Sequence, residues 1–302
     1  MKIAILIPCY NSAEYLPELF TGIRKQSVPF DEIICYDDGS SDNTIEIAKS
    51  LGAKVISGKN NRGPAYARNR MIEASTSDFF HFHDSDDLID EKFVEIMRNH
   101  LEDESVQLIS NAYVLDRKDR SKNLGNITYQ NLAEANDQLA YFLNHVGFAS
   151  MGLYSKKALN KIGGFWEDLK GNEDPDLHIR LAENNYRIKN VDHFLVTKLE
   201  HSTSFSHQNW TQCLADKLKC IDAYAKRMHP QYHPVFALQA ARLSNYFYRE
   251  NHKTLSLQAR KLSFSLGLHV IPDSKFSEIL TSFFGVRFYL WLYRRRVDLN
   301  LV

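Results

Sequence analysis

Through the first third of the chain, four short and largely apolar runs alternate with amphipathic segments: Ile3 to Ile7, Glu32 to Tyr36, Lys54 to Ser57 and Phe79 to Phe82. A strand without a polar face must be covered on both sides, and βαβα alternation does this by laying helices over a parallel sheet. The expected fold class is therefore α/β, with a mostly parallel central sheet and flanking helices. Such sheets collect ligands in the loops that leave the carboxyl ends of their strands, and the unusual residues of this chain sit in those loops. Two helix starts support the reading. Asn11 precedes Glu14 by three residues, the spacing of a capping box, and Gly63-Pro64 puts proline at a first helical position.

Further along, Gln107 to Val114 reads as another strand, Asp116 to Asn126 as a polar and basic loop, Asn131 to Asn144 as helical, and Phe148 to Tyr154 as strand again. Gly163-Gly164-Phe165 marks a turn. Beyond Trp210 the pattern changes to long helical segments rich in Leu, Phe and Tyr, broken at Pro230, Pro234 and Pro272. The expected organisation is an α/β domain over residues 1–207 and a helical region over 208–302. Basic and acidic side chains balance at 37 each, which offers no field for nucleic acid. The balance is uneven along the chain, with 14 basic and 6 acidic residues from Thr211 onward. Cys9, Cys35, Cys213 and Cys220 form no C-x-x-C pair, and the apolar run at the N-terminus is too short for a signal peptide or a membrane span. A reducing, cytoplasmic setting is expected.

Three clusters carry possible chemistry. Tyr36-Asp37-Asp38-Gly39-Ser40-Ser41-Asp42-Asn43-Thr44 follows a strand; its carboxylates suit a nucleobase or ribose, and the same residues suit a capped turn. His81-Phe82-His83-Asp84-Ser85-Asp86-Asp87 ends another strand. Three carboxylates in four residues repel one another unless a cation joins them, and oxygen ligands suit Mg²⁺ or Mn²⁺; the alternative is a solvated acidic turn. Period-two alternation puts His81 and His83 on the face opposite Phe80 and Phe82, either as ligands of a metallohydrolase or packed beside the site. In Gly171-Asn172-Glu173-Asp174-Pro175-Asp176-Leu177, Pro175 makes Asp174 a candidate helix cap, and equally a carboxylate placed to take a proton from an attacking hydroxyl.

In this order the clusters resemble glycosyltransferase family 2, the inverting transferases of the GT-A nucleotide-diphospho-sugar transferase fold. The likeness runs through Ile7-Pro8-Cys9-Tyr10-Asn11, Asp37 to Thr44, Gly63-Pro64-Ala65-Tyr66-Ala67-Arg68-Asn69, Asp84-Ser85-Asp86-Asp87 and Glu173-Asp174. The resemblance implies that Asp38 contacts the base in a pocket lined by Pro8, Tyr10 and Asn11, with Arg68 beside the base or diphosphate. It implies Asp84 and Ser85 near the ribose or metal, Asp86 on a Mn²⁺ or Mg²⁺ ion with Asp87 in support, Asp174 as base and His201 at the diphosphate or metal. The implied reaction moves a sugar from a nucleotide diphosphate, with UDP favoured, to a hydroxyl of a glycan or lipid-linked acceptor. No Q-x-x-R-W segment follows Asp174, which implies single addition. Trp166 reads as an acceptor-stacking ring or a core aromatic. The run Phe283 to Tyr293 with Arg294-Arg295-Arg296 reads as a peripheral membrane helix or as one packed on the transferase domain. The competing readings are the metallohydrolase and a catalytically dead donor-binding protein. A nucleotidyltransferase would need a glycine-rich, basic phosphate loop, which Pro8 to Ser12 does not supply.

Overall fold

The computed structural model describes residues 1–202 and 204–268, which separate into two compact units, Met1–Trp210 and the residues from Thr211 on. The first unit begins with the expected alternation: β1 (Ile3–Cys9), α1 (Leu16–Arg24), β2 (Glu32–Asp37), α2 (Thr44–Ser50), β3 (Lys54–Ser57), α3 (Pro64–Ala74) and β4 (Phe79–Phe82). All four strands are parallel neighbours in the order β3-β2-β1-β4. The chain thus walks outward from β1 to β3 and then returns to the other side of β1. That reversal opens a crevice at the carboxyl ends of β1, β2 and β4, the usual ligand position of an open α/β sheet. Ile3 to Ile7, Phe79, Phe80 and Phe82 are fully buried, as two-sided cover requires.

Beyond β4 the sheet becomes mixed. β5 (Leu88–Ile89), α4 (Phe93–His100), β6 (Val106–Asp116), β7 (Asn123–Ile127), α5 (Gln138–Asn144), β8 (Gly152–Ser155), α6 (Lys156–Ile162), α7 (Glu173–Glu183) and β9 (Arg187–Glu200) complete the unit before a short α8 (Phe205–Gln208). The full order is β3-β2-β1-β4-β8-β6-β9-β5, with β7 paired to β6. β8 runs antiparallel to both β4 and β6, while the long β9 runs parallel to β6 and antiparallel to β5.

Three local expectations differ from the structure. The stretch Asp116 to Asn126 holds strand β7 as well as a turn in which Asp116 Oδ1 accepts from the backbone N–H groups of Lys118 and Asp119. β7 is exposed and polar and is held by its backbone ladder to β6, so it leaves no apolar period to read. Helix α5 forms only from Gln138, where Asp137 caps it by accepting from Ala140 N–H, and a single 3₁₀ turn, Gln130–Leu132, precedes it. Strand β8 likewise starts at Gly152 after a 3₁₀ turn at Ala149–Met151.

The second unit contains α9 (Trp210–Arg227), which begins at the boundary, α10 (His233–Arg249) and α11 (Lys253–Ser265). Pro230 lies in a 3₁₀ turn and Pro234 in the first turn of α10, where a missing N–H costs nothing. α10 and α11 are joined by reciprocal bonds, Ser244 Oγ donating to the Ser256 carbonyl and Ser256 Oγ to the Ser244 carbonyl. Among the described residues no helix is long and apolar enough to cross a membrane. Pro272, Phe283 to Tyr293 and Arg294 to Arg296 lie outside the described residues.

Candidate active site

The loops after β1 and β2 are stitched to each other. Asn11 has φ 50° and is not the cap of α1, which starts five residues later with Pro17 in its first turn. Asparagine tolerates that left-handed conformation, and it turns the Asn11 side chain across to the second loop. There Oδ1 accepts from Ser41 N–H at 2.9 Å, while Asn11 N–H donates to Ser40 Oγ at 2.9 Å. Ser12 N–H donates to Thr44 Oγ1 at 2.8 Å and Ala13 N–H to Asp42 at 3.1 Å. Asp38, buried, accepts from Arg62 N–H and, at 2.6 Å, from Gly63 N–H. It closes the loop into α3 at a glycine with φ 94° that hands over to Pro64. Pro8, Tyr10, Asn11 and Asp38 therefore share one rim; the Tyr10 side chain is exposed, and Arg62 lies 3.7 Å above the Tyr66 ring beside it.

The second part of the site is a charge cluster. Arg68, on α3 and only 2% exposed, spreads its guanidinium over three carboxylates. Nη2 donates to Asp84 at 3.0 Å, and Nη1 to Glu173 at 2.8 Å and to Asp174 at 3.1 Å. One side chain thus ties the end of β4 to the start of α7. Phe165 packs below the guanidinium, 5.2 Å from it, and is itself clamped by Asn69, which donates to its carbonyl and accepts from its N–H. Asp174 is in the first turn of α7 and is not its cap; Asn172, with φ 66°, takes that place. Leu177 and Leu181 bury the far side of the helix, so its acidic start points at Arg68.

Lys198, on β9, lies on the other flank. Its ammonium is 2.9 Å from Asp87 and 3.5 Å from Asp84, and Asp87 also accepts from Leu199 N–H. Asp86 points away from both cations. Its Oδ2 lies 2.9 Å from His201 Nε2, its carbonyl accepts from Arg117, and the His201 ring packs on Tyr15. Ser85 Oγ, 2.8 Å from Ser12 Oγ, joins the acidic turn to the rim.

Burial works against the charged forms of Arg68 and Lys198, but the carboxylates around each more than offset it and hold both cationic. Burial would raise Asp84 too, yet Lys198 and Arg68 pull it down to about 2. Asp87 goes the other way, to about 6: burial and its neighbours Asp86 and Asp84 outweigh Lys198. Glu173 rises to about 7 through burial and the nearby Asp174.

His81 and His83 belong to the core. His81 Nδ1 meets the Gly152 carbonyl, which can only accept, so that nitrogen carries the proton and Nε2 accepts from His83 Nδ1–H at 2.9 Å. The His81 ring packs on Phe93, 4.0 Å between centroids. Burial lowers both imidazoles, His83 to about 4. A hydrolase centre needs ring nitrogens open to a ligand and substrate, whereas both His81 nitrogens are bonded and the remaining His83 Nε2, though unpartnered, is fully buried.

Among the described residues no three His, Cys, Asp or Glu side chains converge as a ready metal cage. Asp86 and His201 are the two side chains of this turn and its neighbour that could hold a divalent ion, since neither is engaged by Arg68 or Lys198. Their Oδ2 and Nε2 lie 2.9 Å apart in a direct hydrogen bond, which an entering ion would have to replace. Asp84 is engaged by Arg68 and Lys198 instead. Sequence reasoning missed Lys198, Arg117 and the role of Glu173. The available signal for Lys198 was a lysine inside the mostly apolar run Phe194-Leu195-Val196-Thr197-Lys198-Leu199, three residues before His201.

The parallel β3-β2-β1-β4 half, the mixed β8-β6-β9 half and an acidic turn at the seam define a GT-A type glycosyltransferase fold. Residues 4–163, more than half of the chain, match the family described as Glycosyl transferase family 2, and the chain belongs to that family. It is 26% identical over 170 residues to the glycosyltransferase GlyG of Streptococcus pneumoniae, covering 55% of this chain and 51% of that protein. It is 34% identical over 99 residues to the poly(ribitol-phosphate) β-N-acetylglucosaminyltransferase TarS of Staphylococcus aureus, covering 30% of this chain and 17% of the relative. The chain spans about half the length of GlyG and of the Haemophilus influenzae and Bacillus subtilis relatives it also matches. In three dimensions it resembles TarS residues 1–349 in complex with UDP-GlcNAc, with a TM-score of 0.57, 18% identity, and coverage of 88% of this chain and 92% of the other. A mannosyltransferase of Pyrobaculum calidifontis in complex with GDP-Man and Mn²⁺ gives a TM-score of 0.58 at 16% identity, covering 95% and 82%.

Proposed function

We propose that this chain is an inverting, metal-assisted, single-addition glycosyltransferase that moves a sugar from a UDP-sugar to a hydroxyl of a glycan or lipid-linked acceptor. Residues 1–207 carry the chemistry, and the helical region 208–302 is assigned to the acceptor or a membrane face in the cytoplasm. The observation that carries the reading is the single guanidinium of Arg68 holding Asp174 and Asp84 on its two nitrogens. It sets a candidate base against the donor end of the site at a fixed separation.

Pro8, Tyr10 and Asn11 form the nucleoside rim, and Asp38 shapes it by gripping the Arg62–Gly63 backbone. Asp84 and Ser85 stand where the ribose and diphosphate enter. Asp174 accepts the proton of the acceptor hydroxyl as that oxygen attacks the anomeric carbon. The nucleoside diphosphate leaves from the opposite face, so one displacement inverts the centre. Asp86 and His201 would hold Mn²⁺ or Mg²⁺, which supplies positive charge to the departing diphosphate. The UDP-GlcNAc and the GDP-Man with Mn²⁺ bound by the two structural relatives support a sugar nucleotide and a divalent ion; UDP itself rests on the TarS likeness.

Calorimetric titration of UDP and GDP, with Mn²⁺ and with chelator, tests the reading. Metal-dependent binding of UDP that disappears in Asp86→Ala is expected. No heat with any nucleoside diphosphate would overturn it.

A further inference from the structure

An acidic turn with three carboxylates in four residues reads as a chelate, yet here all three already have protein partners, two of them buried cations. Lys198 lies 2.9 Å from Asp87 and 3.5 Å from Asp84, Arg68 holds Asp84 from the other side at 3.0 Å, and Leu199 N–H takes the second oxygen of Asp87. The lysine side chain is only 17% exposed, with the Phe148 ring 5.4 Å from its ammonium. It has little water to retreat into if a cation displaces it. Asp86 alone of the three faces away, toward His201.

We infer that Lys198 is a resident counter-charge that keeps Asp84 and Asp87 from chelating a divalent ion, so that the metal enters only together with the donor's diphosphate, through Asp86 and His201. The inference rests on the donor-site reading above. With two protein ligands, an ion of this class needs phosphate and water oxygens to complete its shell, and its affinity for the nucleotide-free protein is correspondingly low. Thermodynamic reciprocity then requires Mn²⁺ and the diphosphate to tighten one another by the same factor. Removing the ammonium reverses the situation. Asp84 and Asp87 would face each other with one buried cation fewer, an arrangement that recruits an ion from solution.

The test counts free Mn²⁺ by electron paramagnetic resonance, with and without UDP, in wild type, Lys198→Met and Lys198→Arg. Expected are weak binding to the nucleotide-free wild type, at least tenfold tightening by UDP, and at least tenfold tighter nucleotide-free binding in Lys198→Met. Lys198→Arg, which keeps the charge, should stay weak. Equal Mn²⁺ affinity in the wild type with and without UDP, while UDP binds, overturns the inference and leaves the donor site standing. This arm needs no variant, so poor folding of Lys198→Met cannot shelter the idea. Nucleotide-free affinity unchanged in a folded Lys198→Met overturns it as well. UDP that neither binds nor tightens Mn²⁺ in the wild type overturns the donor-site reading, and the inference with it.

Discussion

Replacing Arg68 by methionine keeps most of the volume and removes one buried cation from between three carboxylates. Each charge-assisted hydrogen bond is worth about 1.5–3 kcal/mol, but the loss falls short of their sum because the released carboxyls can take up protons. Removing one partner of a buried ion cluster costs about 3–5 kcal/mol. At about 2–3 °C per kcal/mol for a chain of this size, Tm should fall by roughly 6–15 °C. The loss should also depend on pH in a defined direction. Burial and Asp174 already hold Glu173 at about 7 against an ordinary value of 4.5, and Arg68 opposes that rise. Without the arginine the folded-state value climbs further, so the native state holds protons that the unfolded chain has released. Stability of the variant is then lost as pH increases from about 4.5 through and beyond 7. Differential scanning calorimetry of wild type and Arg68→Met at pH 5.5 and pH 8 should show the larger deficit at pH 8. A deficit under 2 °C, or one equal at the two values, would refute the reasoning that Arg68 neutralises this cluster.

Asp174→Asn should bind UDP with wild-type affinity and lose transfer by about 10²- to 10⁴-fold, the range of a general base; near-normal turnover would remove Asp174 from that role. Gly164 has φ 69°, and a Cβ there would run into the Asn69 side chain. Gly164→Ala should therefore release the Asn69 clamp on Phe165 and lower stability by about 1–3 kcal/mol, read from a urea unfolding midpoint. Asn11→Ala removes the acceptor that joins the two rim loops. Weaker UDP binding with little change in Tm is expected, and unaltered binding would show that the rim holds without that link.

Much of the parallel half of the sheet was legible in the sequence because its signals are local. Two-sided apolar runs, a Gly-Pro helix start at residues 63 and 64 and acidic turns after strands are properties of a few adjacent residues, and they translate directly into β1 to β4 and the loops at their ends. The same locality explains the errors. The Asn11 to Glu14 spacing looks like a capping box, but Asn11 bonds across to Ser41, a partner thirty residues away. Asp174 before Pro175 looks like a cap, but Asn172 turns first and α7 begins earlier. The direction of β8 leaves no trace in period or composition, since an antiparallel and a parallel strand bury the same residues.

Side-chain charge in the site belongs to the tertiary structure. From the local sequence, Asp84, Asp86 and Asp87 are three neighbouring carboxylates that either share a cation or sit in water. Folding makes them different by bringing Arg68 from α3 and Lys198 from β9 against Asp84 and Asp87, and His201 against Asp86, across 16 residues at the nearest and 115 at the farthest. His81 and His83 likewise become neutral core rings because packing, including Phe93 against His81, buries them and disfavours their charged forms, while the Gly152 carbonyl from β8 opposes that shift at His81 and fixes its tautomer. The sequence determined which chemical groups the strand ends would offer, because backbone period and turn propensity act over a few residues. Which of those groups stay charged, which are already paired and which remain open to a ligand was decided only by packing, because Coulomb and desolvation energies depend on distance through space and not along the chain.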